Sequence, residues 1–146
     1  MRLHANLSAV ASVATLAALG VWSAAACALT ISPVLVELSP ARRVSSITFT
    51  NPGSTPVRYQ AKVLAWSQAD GVDQYADTDE LMIVPPIAQV AAGGSQIFRV
   101  AVRGRPDGQE HAYRLVFEDV SDPPAPTSST DTTINIRVNH NLPAFL

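Results

Sequence analysis

The sequence predicts an all-β sandwich of seven strands, and three observations carry that expectation. From Leu29 onward apolar residues recur mostly at a spacing of two, which puts alternate side chains on one face of a sheet. Turn signals such as Asn51-Pro52-Gly53 and Gly93-Gly94 separate these runs, as in a sandwich of short strands. Proline outnumbers glycine by 11 to 7 and no apolar stretch keeps heptad spacing, which argues against helical bundles and coiled coils.

The chain must first be divided. Residues 1–28 read as an export signal: Arg2 supplies the positive start, Leu7 to Val21 is apolar, and Ala24, Ala25, Ala26, Cys27 and Ala28 are small. Cleavage after Ala26 or after Ala28 satisfies the small-residue requirement; Ala28 is favoured, leaving 29–146 as the domain. A lipoprotein with Cys27 lipidated is the alternative, although Ala24 stands where such boxes carry Leu. Cys27 is the single cysteine, so cleavage after Ala28 leaves a domain without a disulfide, stabilised by its core alone.

Within 29–146 the strands follow in order. Leu29–Leu38 carries Leu29, Ile31 and the run Val34, Leu35, Val36 and Leu38, with Pro33 marking an edge or a bulge because it cannot donate to a ladder. Val44–Thr50 alternates Ile47 and Phe49 with Ser46, Thr48 and Thr50. Val57–Trp66 is a central strand with one wet face, setting Val57, Tyr59, Ala61, Val63 and Ala65 against Arg58, Gln60 and Lys62. An acidic loop is expected over Asp70–Glu80, then a strand at Leu81–Val84 that Pro85-Pro86 terminates, with one bond of the proline pair a candidate for cis. Ser95–Val102 follows Gly93-Gly94, and Arg103–Gln109 is a polar loop. The next strand alternates Tyr113, Leu115 and Phe117 with Arg114, Val116 and Glu118. After a solvated Pro/Ser/Thr-rich loop, Ser121–Asp131, the last strand is expected over Thr132–His140, alternating Ile134, Ile136 and Val138 with Asn135, Arg137 and Asn139.

Composition narrows the function. With 146 residues, 47% apolar and 15% charged, the chain is neither a disordered tail nor a multi-domain enzyme. Acids outnumber bases 12 to 10, so no basic field gathers phosphates and nucleic-acid binding is not expected. Catalysis lacks its parts: beyond residue 28 there is no cysteine, and His111 and His140 both read as surface histidines. The acids Asp70, Asp73, Asp77, Asp79 and Glu80 raise calcium, but their spacing does not match an EF-hand loop and a solvated acidic loop is the plainer reading. The β-branched stripe Ile134, Ile136 and Val138 has two readings. It faces the domain's own core, or it is an apolar row offered to the incomplete sheet of another protein by β-augmentation.

Several segments together resemble a known family. They are Leu29-Thr30-Ile31-Ser32-Pro33, Ile47-Thr48-Phe49-Thr50-Asn51, Trp66 with Gln68 and Gly71, the strand before Pro85-Pro86, Gly94 to Gln96 leading to Phe98-Arg99-Val100, and Tyr113-Arg114-Leu115. In this order they resemble the N-terminal immunoglobulin-like domain of periplasmic pilus chaperones of the chaperone-usher pathway. Leu142-Pro143-Ala144-Phe145 looks most like the archaic, spore-coat-type branch.

The resemblance implies a periplasmic protein that lends Ile134, Ile136 and Val138 to pilin subunits by donor-strand complementation and delivers them to an outer-membrane usher. It implies no enzyme activity, cofactor or small-molecule substrate. Family members hold the pilin C-terminal carboxylate with two basic residues, at positions that fall near Leu35 and Pro143 here, neither of them basic. Arg114 is the leading substitute, since it lies mid-strand on the face opposite Tyr113 and Leu115 and an arginine binds a carboxylate through two parallel hydrogen bonds. Arg137 and Arg99 are further candidates; the plainer reading of all three is an arginine on a wet sheet face. The family's second sandwich is expected to be absent from this chain. The alternative function is a structural pilin or adhesion subunit sharing the immunoglobulin-like fold, which lacks a strand where a chaperone donates one.

Overall fold

A computed structural model describes residues 28–123 and 136–146. The expected export signal, Cys27 and Ile134 therefore lie outside the described residues. Among the described residues ten strands form two sheets: β1 (Thr30–Ser32), β2 (Val36–Glu37), β3 (Val44–Thr50), β4 (Val57–Ala69), β5 (Val72–Asp77), β6 (Leu81–Val84), β7 (Ile87–Val90), β8 (Ser95–Val102), β9 (Ala112–Asp119) and β10 (His140–Phe145). One sheet has the order β1-β3-β8-β6; the other runs β2-β10-β9-β4-β5, with β7 paired to the first half of β4.

The extra strands arise where the chain changes sheets. The first segment is not one strand: β1 pairs with β3, and beyond Pro33 β2 joins the other sheet in parallel with β10. Pro85-Pro86 does the same work between β6, which pairs with β8, and β7, which pairs with β4. A proline supplies no N–H, so neither segment can continue its ladder across the switch. The Ser32–Pro33 and Val84–Pro85 bonds are both cis.

The expected acidic loop is instead half of a hairpin. Asp70 and Gly71, at φ of 53° and 78°, turn β4 directly into β5, the positive-φ pair that suits a tight turn between twisted strands. Asp73 and Asp77 stand along β5 while Asp70 is in the turn. The acids are thus strung out, and among the described residues no group of three His, Cys, Asp or Glu side chains converges as a metal site.

Between the sheets the period-two rows meet as the sequence predicts. Ile47, Phe49, Phe98, Val100, Tyr113, Leu115 and Phe117 are fully buried. Phe49, Phe98 and Phe117 pack with ring centroids 4.6 to 5.1 Å apart, and Tyr59 closes on Phe49 at 5.2 Å. These spacings suit tilted and edge-on aromatic pairs. The one buried polar side chain among the described residues, Asn51, is satisfied at both ends of its amide. It donates to the Thr55 carbonyl at 2.7 Å and accepts from the Gly53 N–H at 3.0 Å, fixing the Asn51-Pro52-Gly53 turn.

The last strand differs most from expectation. It runs from His140 to Phe145, pairing His140 with Phe117 and Phe145 with Ala112; of the expected span Thr132–His140, residues 136–139 carry no strand and 132–135 lie outside the described residues. Leu142 and Ala144 are its buried members, at 7% and 0% exposure. His140 belongs to the same row and is not a surface residue. It is half-buried, 6.0 Å edge-on from Phe49 and 5.7 Å from Tyr59, with Nε2 3.4 Å from the Tyr59 hydroxyl. Pro143 is tolerated because its main chain faces β2, as the bond from Leu38 N to Phe145 O shows, and β2 pairs only from Ala144 onward.

Candidate functional site: a divided apolar row and a stacked arginine

Residues 136, 138, 140, 142 and 144 form one period-two row, and its two halves have opposite fates. Leu142 and Ala144 fill the sandwich, whereas Ile136 and Val138 are 78% and 53% exposed. Residues 136–139 carry no strand pairing, because the register of β10 with β9 begins at His140. Side chains nevertheless tether this segment beside the end of β9. The Arg137 guanidinium donates to the Ser121 carbonyl at 3.0 Å, and Asn139 Oδ1 accepts from the Asp119 N–H at 3.1 Å. Two β-branched apolar residues thus stand in water beside the end of β9, on a segment whose main chain has no ladder partner among the described residues.

At the join of the halves, burial pushes the His140 imidazole below its ordinary pKa, opposed by the Asp119 carboxylate. Burial, reinforced by Asp119, likewise pushes the Tyr59 hydroxyl up to about 12. Both rings are therefore neutral at neutral pH and suited to an apolar seam.

The three arginines singled out from sequence fall in different places. Arg99 is exposed on β8, across from Ser46 and Val84 in the opposite sheet from β10. Arg137 is engaged with Ser121. Arg114 lies on β9 with Leu64 of β4 on one side and Pro143 of β10 on the other, one strand from the family's usual basic position. Its guanidinium carbon is 4.0 Å from the Trp66 ring centroid. Its Nε is buried with no hydrogen-bond partner, and among the described residues no carboxylate reaches it within ion-pair distance. Lys62, on the same sheet face, is neutralised by Glu118 at 2.6 Å. The acid it acts on is Asp73 of β5, whose carboxyl is held below its ordinary pKa first by its hydrogen bond to Gln68, next by the Trp66 indole and in smaller part by the Arg114 charge. Asp73 stops short of an ion pair, so the half-buried guanidinium keeps donors for a bidentate anion.

Sequence reasoning missed the partner of that arginine. Trp66 precedes an Asp-Gly turn by four residues, and reading Asp70-Gly71 as a hairpin would have set the tryptophan beside Arg114 and opposite Tyr75. On the core face of β9 Tyr113, opposite Ala65, donates a short hydrogen bond of 2.5 Å to Glu80, and burial followed by that carboxylate raises its pKa. His111 is a terminal-loop residue paired with Asp107 at 3.0 Å, as a surface histidine should be.

The two-sheet β-sandwich is of the immunoglobulin-like class, and its last strand is preceded by an unpaired apolar segment. Residues 28–146 match the family model of the pili and flagellar-assembly chaperone, PapD N-terminal domain, and the chain belongs to that family. Among solved structures, a chain of the CsuC–CsuE chaperone–tip adhesion subunit pre-assembly complex from the archaic Csu pili of Acinetobacter baumannii is 23% identical, with a TM-score of 0.67 over 82% of this chain and 56% of that one. A chain of the Salmonella enterica SafA pilin–SafB chaperone complex is 17% identical, with a TM-score of 0.63 over 82% and 53% of the two chains. The E. coli chaperone DraB is also 17% identical, with a TM-score of 0.59 over 82% and 54%. At these identities the likeness is one of fold, and the chain spans about half the length of the structures it matches. No curated protein matches it.

Proposed function

We propose that the protein is a periplasmic assembly chaperone that lends Ile134, Ile136 and Val138 to exported pilin subunits and hands them to an outer-membrane usher. The single observation that carries this reading is the divided row, with Ile136 and Val138 exposed directly beyond a half whose Leu142 and Ala144 are buried. In an incomplete pilin sandwich each donated side chain gains about 1.5 to 3 kcal/mol on burial, while main-chain bonds along residues 136–139 add a strand to the client's sheet. Strand donation of this kind needs no catalytic group and no cofactor. Residues 1–28 direct export, with cleavage after Ala28 favoured, and 29–146 is the client-binding domain.

Arg114 anchors the client's terminal carboxylate in this reading, supported by the absence of an ion pair to it among the described residues and by its place across from Pro143. A structural pilin is not favoured, since the family matched is one of assembly chaperones. The test is co-expression with an archaic-type pilin subunit that lacks its own donor strand. Serine at Ile134, Ile136 and Val138 together, or Arg114→Ala alone, is expected to abolish recovery of soluble pilin while leaving the chaperone folded. Undiminished recovery with the triple variant contradicts strand donation, and undiminished recovery with Arg114→Ala removes that residue from the site.

A further inference from the structure

Trp66 has a role that strand donation does not use. Resting on the reading of Arg114 as carboxylate anchor, we infer that Trp66 is its positioning residue: the indole holds the guanidinium flat against the sheet and leaves the guanidinium's N–H edge for a client's terminal carboxylate.

Three observations support this. The stacking contact, 4.0 Å from guanidinium carbon to ring centroid, is the closest restraint on the Arg114 head: among the described residues no carboxylate comes within ion-pair distance, Asp73 acting only from further off, and the Nε has no acceptor. A ring face attracts a cation without consuming its hydrogen-bond donors. An ion pair of the kind that occupies Lys62 would consume them and block the site. The backbone that carries the ring is held, and the indole Nε1 is buried without a hydrogen-bond partner of its own among the described residues. Trp66 pairs directly with Tyr75 across the β4–β5 ladder and lies two residues along β4 from Leu64, the residue opposite Arg114. That hairpin is braced on the spot, for the Asp73 carboxylate accepts from the Gln68 amide at 2.9 Å and from the Tyr75 hydroxyl at 3.1 Å. Planarity also matters, since a lysine at 114 would keep the charge but present neither a flat face to stack nor a fork of donors.

The arrangement assigns a purpose to the length of β4. The strand runs on to Ala69, well beyond its last pairing with β9 at Ala65, and its distal part pairs only with β5. This extension places an aromatic wall beside the anchor at the sheet's open flank.

The test uses the full chain as wild type and as the Trp66→Leu, Trp66→Phe and Arg114→Lys variants. The probes are a synthetic peptide of alternating threonine and valine ending in a free carboxylate and the same peptide ending in an amide, titrated while the Arg114 side-chain resonances are followed by NMR. Wild type is expected to prefer the acid by about ten-fold, Trp66→Phe to keep most of that preference, and Trp66→Leu and Arg114→Lys to lose it. In wild type the Arg114 side-chain protons are shifted upfield by the ring above them, and Trp66→Leu returns them to ordinary positions. Wild type binding acid and amide equally overturns the carboxylate reading and this inference with it. Wild type preferring the acid while Trp66→Leu prefers it equally overturns the role of Trp66 alone. If Trp66→Leu does not fold, Arg114→Lys decides: retention of the full preference contradicts a stacked, planar anchor.

Discussion

Residues 136–139 and 140–145 are consecutive, share one alternating pattern and differ in almost everything else. In the second stretch Leu142 and Ala144 are buried against the facing sheet, and every residue pairs with β9. In the first, Ile136 and Val138 are mostly exposed and no residue is paired. Chemistry does not explain the difference, since isoleucine and valine bury as readily as leucine and alanine. Pairing does: the ladder of the last strand with β9 stops at His140–Phe117 although β9 itself runs on to Asp119, and the row continues without a partner among the described residues. A period-two row reports which side chains share a face, not whether this molecule covers that face.

The comparison can be broken from either side, and the largest effect is expected on the covered side. Leu142→Ala should cost about 2 to 5 kcal/mol of stability, as truncation of a packed core leucine does, read as a fall in the urea midpoint. A loss near zero would mean that β10 does not hold the core.

At the boundary, His140 should make stability depend on pH. Its folded pKa lies below the ordinary value of 6.5, so the unfolded chain binds the proton more readily. The contribution is complete above the ordinary value and is lost as pH falls through the lowered folded value. Urea unfolding followed from about pH 8 to about pH 5 should show this decline, and His140→Phe should flatten it. An unchanged slope in that variant would place the titration elsewhere.

The smallest stability effect belongs to the uncovered side. Ile136→Ser with Val138→Ser should move the unfolding free energy by no more than about 0.5 kcal/mol, although the same pair of changes is expected to remove client binding. A thermal scan of the double variant checks it; a loss comparable to that of Leu142→Ala would show the row to be ordinary core.

Much of the fold was legible in the sequence because burial on one sheet face leaves a period-two mark, as at Ile47 and Phe49, at Phe98 and Val100, and at Tyr113, Leu115 and Phe117. What failed to show were events that leave no such mark. Pro33 and Pro85-Pro86 signalled interruptions, but sequence does not say that the chain crosses to the other sheet there. The β5 strand is exposed along its whole length, so it has no alternation to detect, and only its Asp-Gly turn betrays it. The last strand was displaced because Ile134, Ile136 and Val138 form a cleaner stripe than Leu142 and Ala144, which are interrupted by Pro143. Of the candidate site, Arg114 was suggested by a family pattern that this chain departs from, whereas Trp66 needed the register of β4 against β9.

Amide hydrogen exchange across residues 136–145, with and without a pilin client, tests the central claim most directly. The account predicts rapid exchange at 136–139 and strong protection at 140–145 in the free protein, with protection spreading over 136–139 when the client binds. Protection at 136–139 already present in the free protein, or no gain there on binding, would contradict it.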